Sequence, residues 1–137
     1  MIKYIFYCML FSLSCVSHNS VGQKQNPMCG DWKWEKNDDK HDFTLQIFQK
    51  DSLLIGKHCY IIDAGSKIDC ASEEKEISFK TVISDSTKLT LKIKSFYSNE
   101  FGEVEIALIN EKLYWKLLKA PKAEYYFPKA AILIRNK

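Results

Sequence analysis

From residue 30 onward, apolar and polar residues alternate along most of the chain. Alternation with a period of two is typical of β-strands that bury one face. In the clearest run, Phe43 and Leu45 fall on one face. In a later run, the same alternation places Ile77 and Phe79 on the buried face and Ser78 opposite them. The pattern predicts about eight or nine strands, over 31–35, 42–50, 53–63, 67–71, 77–83, 89–96, 102–109, 113–118 and 131–135.

Short connectors with turn-forming residues join these strands, as at Asp63–Ser66 and Asn110-Glu111. No stretch has the spacing of an amphipathic helix of useful length. Antiparallel strands that each carry one apolar face must share a core. We therefore predict an all-β fold, an up-and-down antiparallel barrel of about eight or nine strands, because closure removes exposed edges. A two-sheet β-sandwich is the alternative.

The first 22 residues indicate export. Lys3 precedes an apolar stretch, 4–16, that is too short to span a bilayer but suits a signal peptide. Two processing patterns compete. Ser20-Val21-Gly22 has the small residues that a type I peptidase needs to cut before Gln23, whereas Ser12-Leu13-Ser14-Cys15 resembles a degenerate lipobox that would put a lipid anchor on Cys15.

The predicted organisation is a signal peptide over 1–22, a short lead over 23–29 and a single domain over 30–137. No later apolar run is long enough to be a transmembrane segment. We expect the mature protein in the periplasm, at the cell surface or secreted.

Export places the cysteines in an oxidising compartment. Three remain after the signal, Cys29, Cys59 and Cys70. A hairpin centred on Ala64-Gly65 sets Cys59 opposite Cys70, which allows a disulfide if the pair is not hydrogen-bonded. Cys29 would then be free, or would bond to Cys15 or to another chain. Three reduced buried thiols are the alternative, and the cysteine and histidine spacings match no zinc motif.

Composition and charge narrow the classes of partner. Hydrophobic residues make up 46% and charged residues 27% of the chain, which is typical of a globular domain. Lys plus Arg is 20 and Asp plus Glu is 17, a net charge of +3 without strong clustering. Because Arg135 is the only arginine, the forked phosphate contacts common in nucleic-acid binders are not available along the chain. We therefore expect no nucleic-acid partner.

The start of the first strand has a recognisable motif. Gly30-Asp31-Trp32 is followed by the alternating apolar residues of the second strand. This opening resembles that of the calycin barrels, the lipocalin and avidin groups. The resemblance implies a barrel in which Trp32 plugs one end and Arg135, near the end of the last strand, packs over it as a cation–π pair. The avidin pattern continues Leu-x-Gly-x-Tyr, whereas this chain has His58 at the last position, so biotin binding is not carried over.

Catalytic motifs are weak in this sequence. His58 and Cys59 are adjacent, and neighbours on a strand point to opposite faces, so they make a poor catalytic pair. The chain has no Gly-x-Ser-x-Gly elbow, phosphate loop or dinucleotide fingerprint. The acidic segment 37–42 matches no metal loop, and we interpret it as a solvated turn. We predict a protein that is not an enzyme and that needs no cofactor or metal.

Two binding modes stay open. In the first, resembling a lipocalin, the barrel holds a small apolar ligand against Phe43, Phe79 and Trp115. In the second, the barrel is filled and its rim loops dock a protein, as an inhibitor or immunity protein would against an envelope or toxin enzyme. The segment Tyr125-Tyr126-Phe127, between two prolines, serves either mode, since alternation cannot bury all three rings.

Overall fold

The computed structural model describes residues 24–137, which form nine β-strands and a 3-10 turn at Asp63–Gly65. The predicted strands are all present, with ends that differ from the prediction by no more than two residues. The strands are β1 (Gly30–Trp34), β2 (His41–Lys50), β3 (Leu53–Ile62), β4 (Lys67–Cys70), β5 (Phe79–Val82), β6 (Lys88–Lys94), β7 (Phe101–Ile109), β8 (Lys112–Lys119) and β9 (Ala130–Arg135).

All pairings between neighbouring strands are antiparallel, in the order β4-β3-β2-β1-β9-β8-β7-β6. The first and last strands pair, and β4 and β5 pair with opposite halves of β3. The sheet curls until its two ends meet, where the Lys94 N–H donates to the Ser78 carbonyl at 2.9 Å. The prediction of an all-β, barrel-like antiparallel fold is confirmed.

One strand face was predicted wrongly. Ser78 is 1% exposed and Ile77 is 36% exposed, the reverse of the alternation over 77–83. The reason is that β5 begins only at Phe79, after a segment that leaves the sheet between β4 and β5. The period-two pattern does not extend across that break.

Large apolar side chains fill the interior. Trp32, Trp115 and Phe43 are completely or almost completely buried. Each buried side chain of this size contributes roughly 1.5–3 kcal/mol of transfer free energy. The residues packed around them come from the lead segment and seven strands: Met28, Leu45, Leu54, Phe79, Ile93, Ile106, Leu113 and Leu133.

One end of the sheet is closed by the lead segment. Met28 is fully buried, and the Trp32 indole N–H donates to its carbonyl at 2.9 Å. The Arg135 guanidinium carbon lies 4.2 Å from the Trp32 ring centroid, and the same group donates to the carbonyls of Pro27 and Cys29. Met28 and Cys29 are therefore part of the core. We call this the plugged end.

The disulfide between Cys59 and Cys70 is confirmed. The two residues are direct partners in the β3–β4 pairing. The Ala71 N–H donates to the His58 carbonyl at 2.9 Å, the pattern that flanks a non-hydrogen-bonded pair. Within the described chain, Cys29 is buried without a disulfide partner, and burial raises the pKa of its thiol despite the lowering effect of Arg135.

The predictions for the N-terminus, the signal peptide and lipidated Cys15, lie outside the described residues. Between residues 24 and 137, none of the helical segments has the length and apolar character needed to cross a membrane.

Candidate functional site

A buried carboxylate joins the two loops at the end opposite the plug. Asp69 points inward from β4 and is 0% exposed. One carboxylate oxygen accepts from His58 Nε2 at 2.9 Å and from the Phe96 N–H at 2.7 Å. The other accepts from Ser95 Oγ at 2.6 Å and from the Tyr126 N–H at 3.0 Å. Asp69 therefore fixes β3, the β6–β7 loop and the β8–β9 loop to one another.

Asp69 is held in its charged form. Burial opposes ionisation, but the hydrogen bond and charge of His58, with the bonds from Ser95 and Tyr126, outweigh it. The pKa of the Asp69 carboxyl consequently lies below its usual value. A carboxylate with this many donors tolerates burial that an isolated charge would not.

His58 extends the network to a hydroxyl. Its Nδ1 lies 2.6 Å from Ser78 Oγ, and the His58 backbone N–H donates to the same hydroxyl oxygen at 2.8 Å. Serine, histidine and aspartate are thus connected in the order of a hydrolase triad. All three are at most 1% exposed, so no substrate can reach Ser78 Oγ in this arrangement. The contacts instead fasten β3 to the segments on either side of it.

Above this network lies a set of aromatic side chains that are at least partly exposed, Tyr97, Tyr125 and Tyr126, which we call the aromatic rim. The rings of Tyr97 and Tyr126 are 4.7 Å apart, edge to face. Lys67 Nζ lies 5.3 Å from the Tyr126 centroid, a cation–π distance. Tyr97 is 49% exposed, and the two other tyrosines are half-buried. A hydrogen bond to Glu124 raises the pKa of Tyr126, so its hydroxyl stays protonated.

The residues predicted from sequence to bind a ligand or partner fall into two groups. Phe43, Phe79, Trp115 and Phe127 are buried in the core. There the ring centroids of Phe43 and Trp115 are 5.0 Å apart, and those of Trp115 and Phe127 are 6.2 Å apart. Phe127 covers the core from the rim side and packs edge-on against His58 at 5.5 Å. Tyr125 and Tyr126 remain accessible on the rim.

Sequence reasoning missed Asp69, Ser78 and Ser95. A signal for one of them was present, because the hairpin register that paired the cysteines also places Asp69 opposite Tyr60. Tyr60 shares its strand face with His58, so the same register puts an aspartate and a histidine inside the sheet. Ser78 and Ser95 lie just outside regular strands, where alternation carries no information.

The surface also has shallow depressions. One of about 650 Å³ lies on the outer face of β7, β8 and β9, between Ala107, Tyr114 and Ile132. In the described part of the chain, every buried side-chain nitrogen or oxygen has a hydrogen-bond partner. The acidic segment 37–42 contains a turn that is closed by Asp38. The Asp38 carboxylate accepts from the backbone N–H groups of Lys40 and His41 at 2.8 Å.

Comparison with protein-family models, with curated proteins and with solved structures found no significant match. The fold and the disulfide define the class as a disulfide-bonded, all-β protein with a curled antiparallel sheet. The resemblance to calycins stays an expectation from the sequence.

Proposed function

We propose that this chain is an exported, non-catalytic binding protein that docks a partner protein through its aromatic rim. A role as inhibitor or immunity protein, against an envelope or toxin enzyme, fits this mode of binding. The observation that carries the proposal is the contrast between the two groups of predicted residues. The bulky rings predicted to line a lumen are packed into the core, whereas Tyr125 and Tyr126 are only half-buried at the rim, beside Tyr97, which is 49% exposed.

The filled interior weighs against the lipocalin-like alternative. A small apolar ligand between the strands would have to displace Phe43 or Trp115, which are in edge-to-face contact. The Trp115 indole N–H also donates to the Pro128 carbonyl at 2.8 Å, so moving this ring would leave a buried donor unpaired. Opening a lumen would therefore cost packing and a hydrogen bond together.

The rim has the properties of a binding hot spot. Tyrosine is enriched at hot spots because it offers a large rigid surface with a polar tip. The backbones that carry Tyr97 and Tyr126 are fixed by Asp69, through Phe96 and through Tyr126 itself. A partner would consequently meet a surface that is already ordered, which reduces the entropy lost on docking.

The test compares rim variants with a matched tyrosine elsewhere. Tyr97→Ala and Tyr126→Ala should each weaken affinity for an isolated partner more than tenfold, because hot-spot truncation costs about 2 kcal/mol. Tyr114→Ala is the control, since Tyr114 is similarly exposed but lies on the outer face of β8. Circular dichroism would verify that each variant folds.

Native mass spectrometry of the protein from its own envelope fraction provides the opposing outcome. The proposal predicts the bare chain or a complex with a second protein. A retained small apolar molecule would overturn it in favour of a ligand carrier. Equal partner affinity for the rim variants and for Tyr114→Ala would also refute it.

A further inference from the structure

The disulfide lies next to the residue that organises the rim. Cys70 directly follows Asp69, and Cys59 directly follows His58. The bridge therefore holds the two partners of the 2.9 Å His58–Asp69 contact in register. Its position points to a role in placing the rim loops, in addition to any effect on stability.

The strand that carries Asp69, β4, pairs with only one other strand in the described part of the chain. β4 is four residues long, and its backbone pairing is with β3 alone. The remaining path of the sheet, from β3 through β1 and β9 to β6, does not pass through β4. Release of β4 would therefore leave those pairings intact.

We propose that the Cys59–Cys70 disulfide is a redox latch for the aromatic rim. When a dithiol reductant opens it, β4 separates from β3 and Asp69 leaves its buried position. The Phe96 and Tyr126 N–H groups and Ser95 Oγ then lose their common acceptor, and the loops bearing Tyr97 and Tyr126 lose their fixed geometry. The claim that reduction controls partner binding rests on the proposed function. The claim that the two loops lose their fixed geometry does not.

The position of the bridge allows attack from solvent. Cys59 alternates with the buried residues His58 and Tyr60, so its side chain lies on the outer face of β3. Both cysteines are partly exposed, and Cys59 lines a surface depression together with Thr44 and Lys57. A thiolate can approach the sulfur atoms from this side without crossing the core.

The exchange reaction balances with a dithiol alone. A thiolate of the reductant attacks one sulfur of the bridge, forms a mixed disulfide and expels the other cysteine as a thiolate. The second thiol of the reductant, after losing its proton, attacks the mixed disulfide and releases the remaining cysteine. The reductant leaves as a disulfide, having given two electrons, and Cys59 and Cys70 take up protons as free thiols.

Separation of β4, and not a mere loosening, follows from the charge on Asp69. With β4 in register Asp69 keeps its four donors, but a carboxylate that stays inside the sheet after β4 has shifted and some of these donors are lost is strongly unfavourable. Once the bridge no longer holds the register, the ionised side chain is better solvated with β4 turned outward. His58 keeps its contact with Ser78, so β3 retains its link to the other side.

The test is amide hydrogen exchange on the whole protein in a Cys29→Ser background, which prevents thiol shuffling. Dithiothreitol should bring the Phe96 and Tyr126 amides to the exchange rates of exposed groups. The amides of Ile106 and Trp115, in β7 and β8, should stay protected. A Cys59→Ser/Cys70→Ser variant should give the reduced pattern without reductant. Asp69→Asn should loosen both loops while the disulfide stays intact.

Two outcomes would overturn the latch. Continued protection of Phe96 and Tyr126 after reduction would mean that Asp69 stays in place without the bridge. Loss of protection at Ile106 and Trp115 as well would mean that the disulfide holds the whole fold. Because exchange is measured without a partner, failure of the latch is distinct from failure of rim docking. A working latch with unchanged partner affinity would count against the rim.

Discussion

The buried carboxylate of Asp69 is the centre of a hydrogen-bond network with four donors. Its two oxygens accept from a ring nitrogen, a hydroxyl and two backbone N–H groups. Charged acceptors of this kind form bonds about twice as strong as neutral ones. The side chain is thus a structural centre as well as a support for the rim.

Replacing this carboxylate should be costly. Asp69→Asn replaces one acceptor oxygen with an NH2 group, which cannot accept from the donors that it faces. We expect a loss of about 3 kcal/mol in the free energy of unfolding. Asp85→Asn, at an exposed position, is the control and should change stability by less than about 0.5 kcal/mol. Urea unfolding measures both, and equal effects of the two substitutions would contradict the role given to Asp69.

The same residue sets a pH dependence. Because the pKa of Asp69 is lower in the folded protein, the unfolded chain takes up the proton first as the pH falls. Its contribution is complete above the unfolded value of about 3.9 and is lost as the pH drops through the lower folded value. The stability difference between wild type and Asp69→Asn should therefore shrink below about pH 4. Unfolding curves at a series of pH values would show a constant difference if the assignment were wrong.

At the scale of elements, the β3–β5 pairing depends on a glycine that gives space to an aromatic ring. A Cβ at Gly56 would lie 2.1 Å from ring atoms of Phe79, its pairing partner. Gly56→Ala should consequently cost about 1–3 kcal/mol through overpacking. Adding Phe79→Leu should recover part of that loss, since the ring is what the methyl group meets. Thermal unfolding of the two single variants and the double variant tests this, and strictly additive losses would contradict it.

Alternation identified every strand because one face of each is buried, as with Phe43 and Leu45 in β2. The Cys59–Cys70 bridge followed from the same register, since a hairpin fixes which residues face each other. The Asp69 network could not be found in this way. It joins β4 to residues after β6, and period-two patterns say nothing about which non-neighbouring strands meet when a sheet curls.

For the whole molecule, the lead segment matters as much as a strand. Met28 fills the plugged end and is completely buried. Met28→Ala should lower the free energy of unfolding by about 2–5 kcal/mol, because it removes buried atoms and leaves a cavity. Lys24→Ala, in the exposed part of the same lead, is the control. An equally small effect of both substitutions in chemical denaturation would show that the lead does not contribute to the core.

The pairing of β1 with β9 also determines which end of the molecule would be held by a tether attached near either terminus. Gly30 begins β1 at the plugged end, and Arg135 ends β9 there, beside Trp32. The loop that carries Tyr125 and Tyr126 precedes β9 and therefore lies at the far end. A lipid, tag or fusion attached before residue 24 or after Lys137 would tether the protein by its base. Tyr125 and Tyr126 would then face away from the tether, where a partner in solution could reach them.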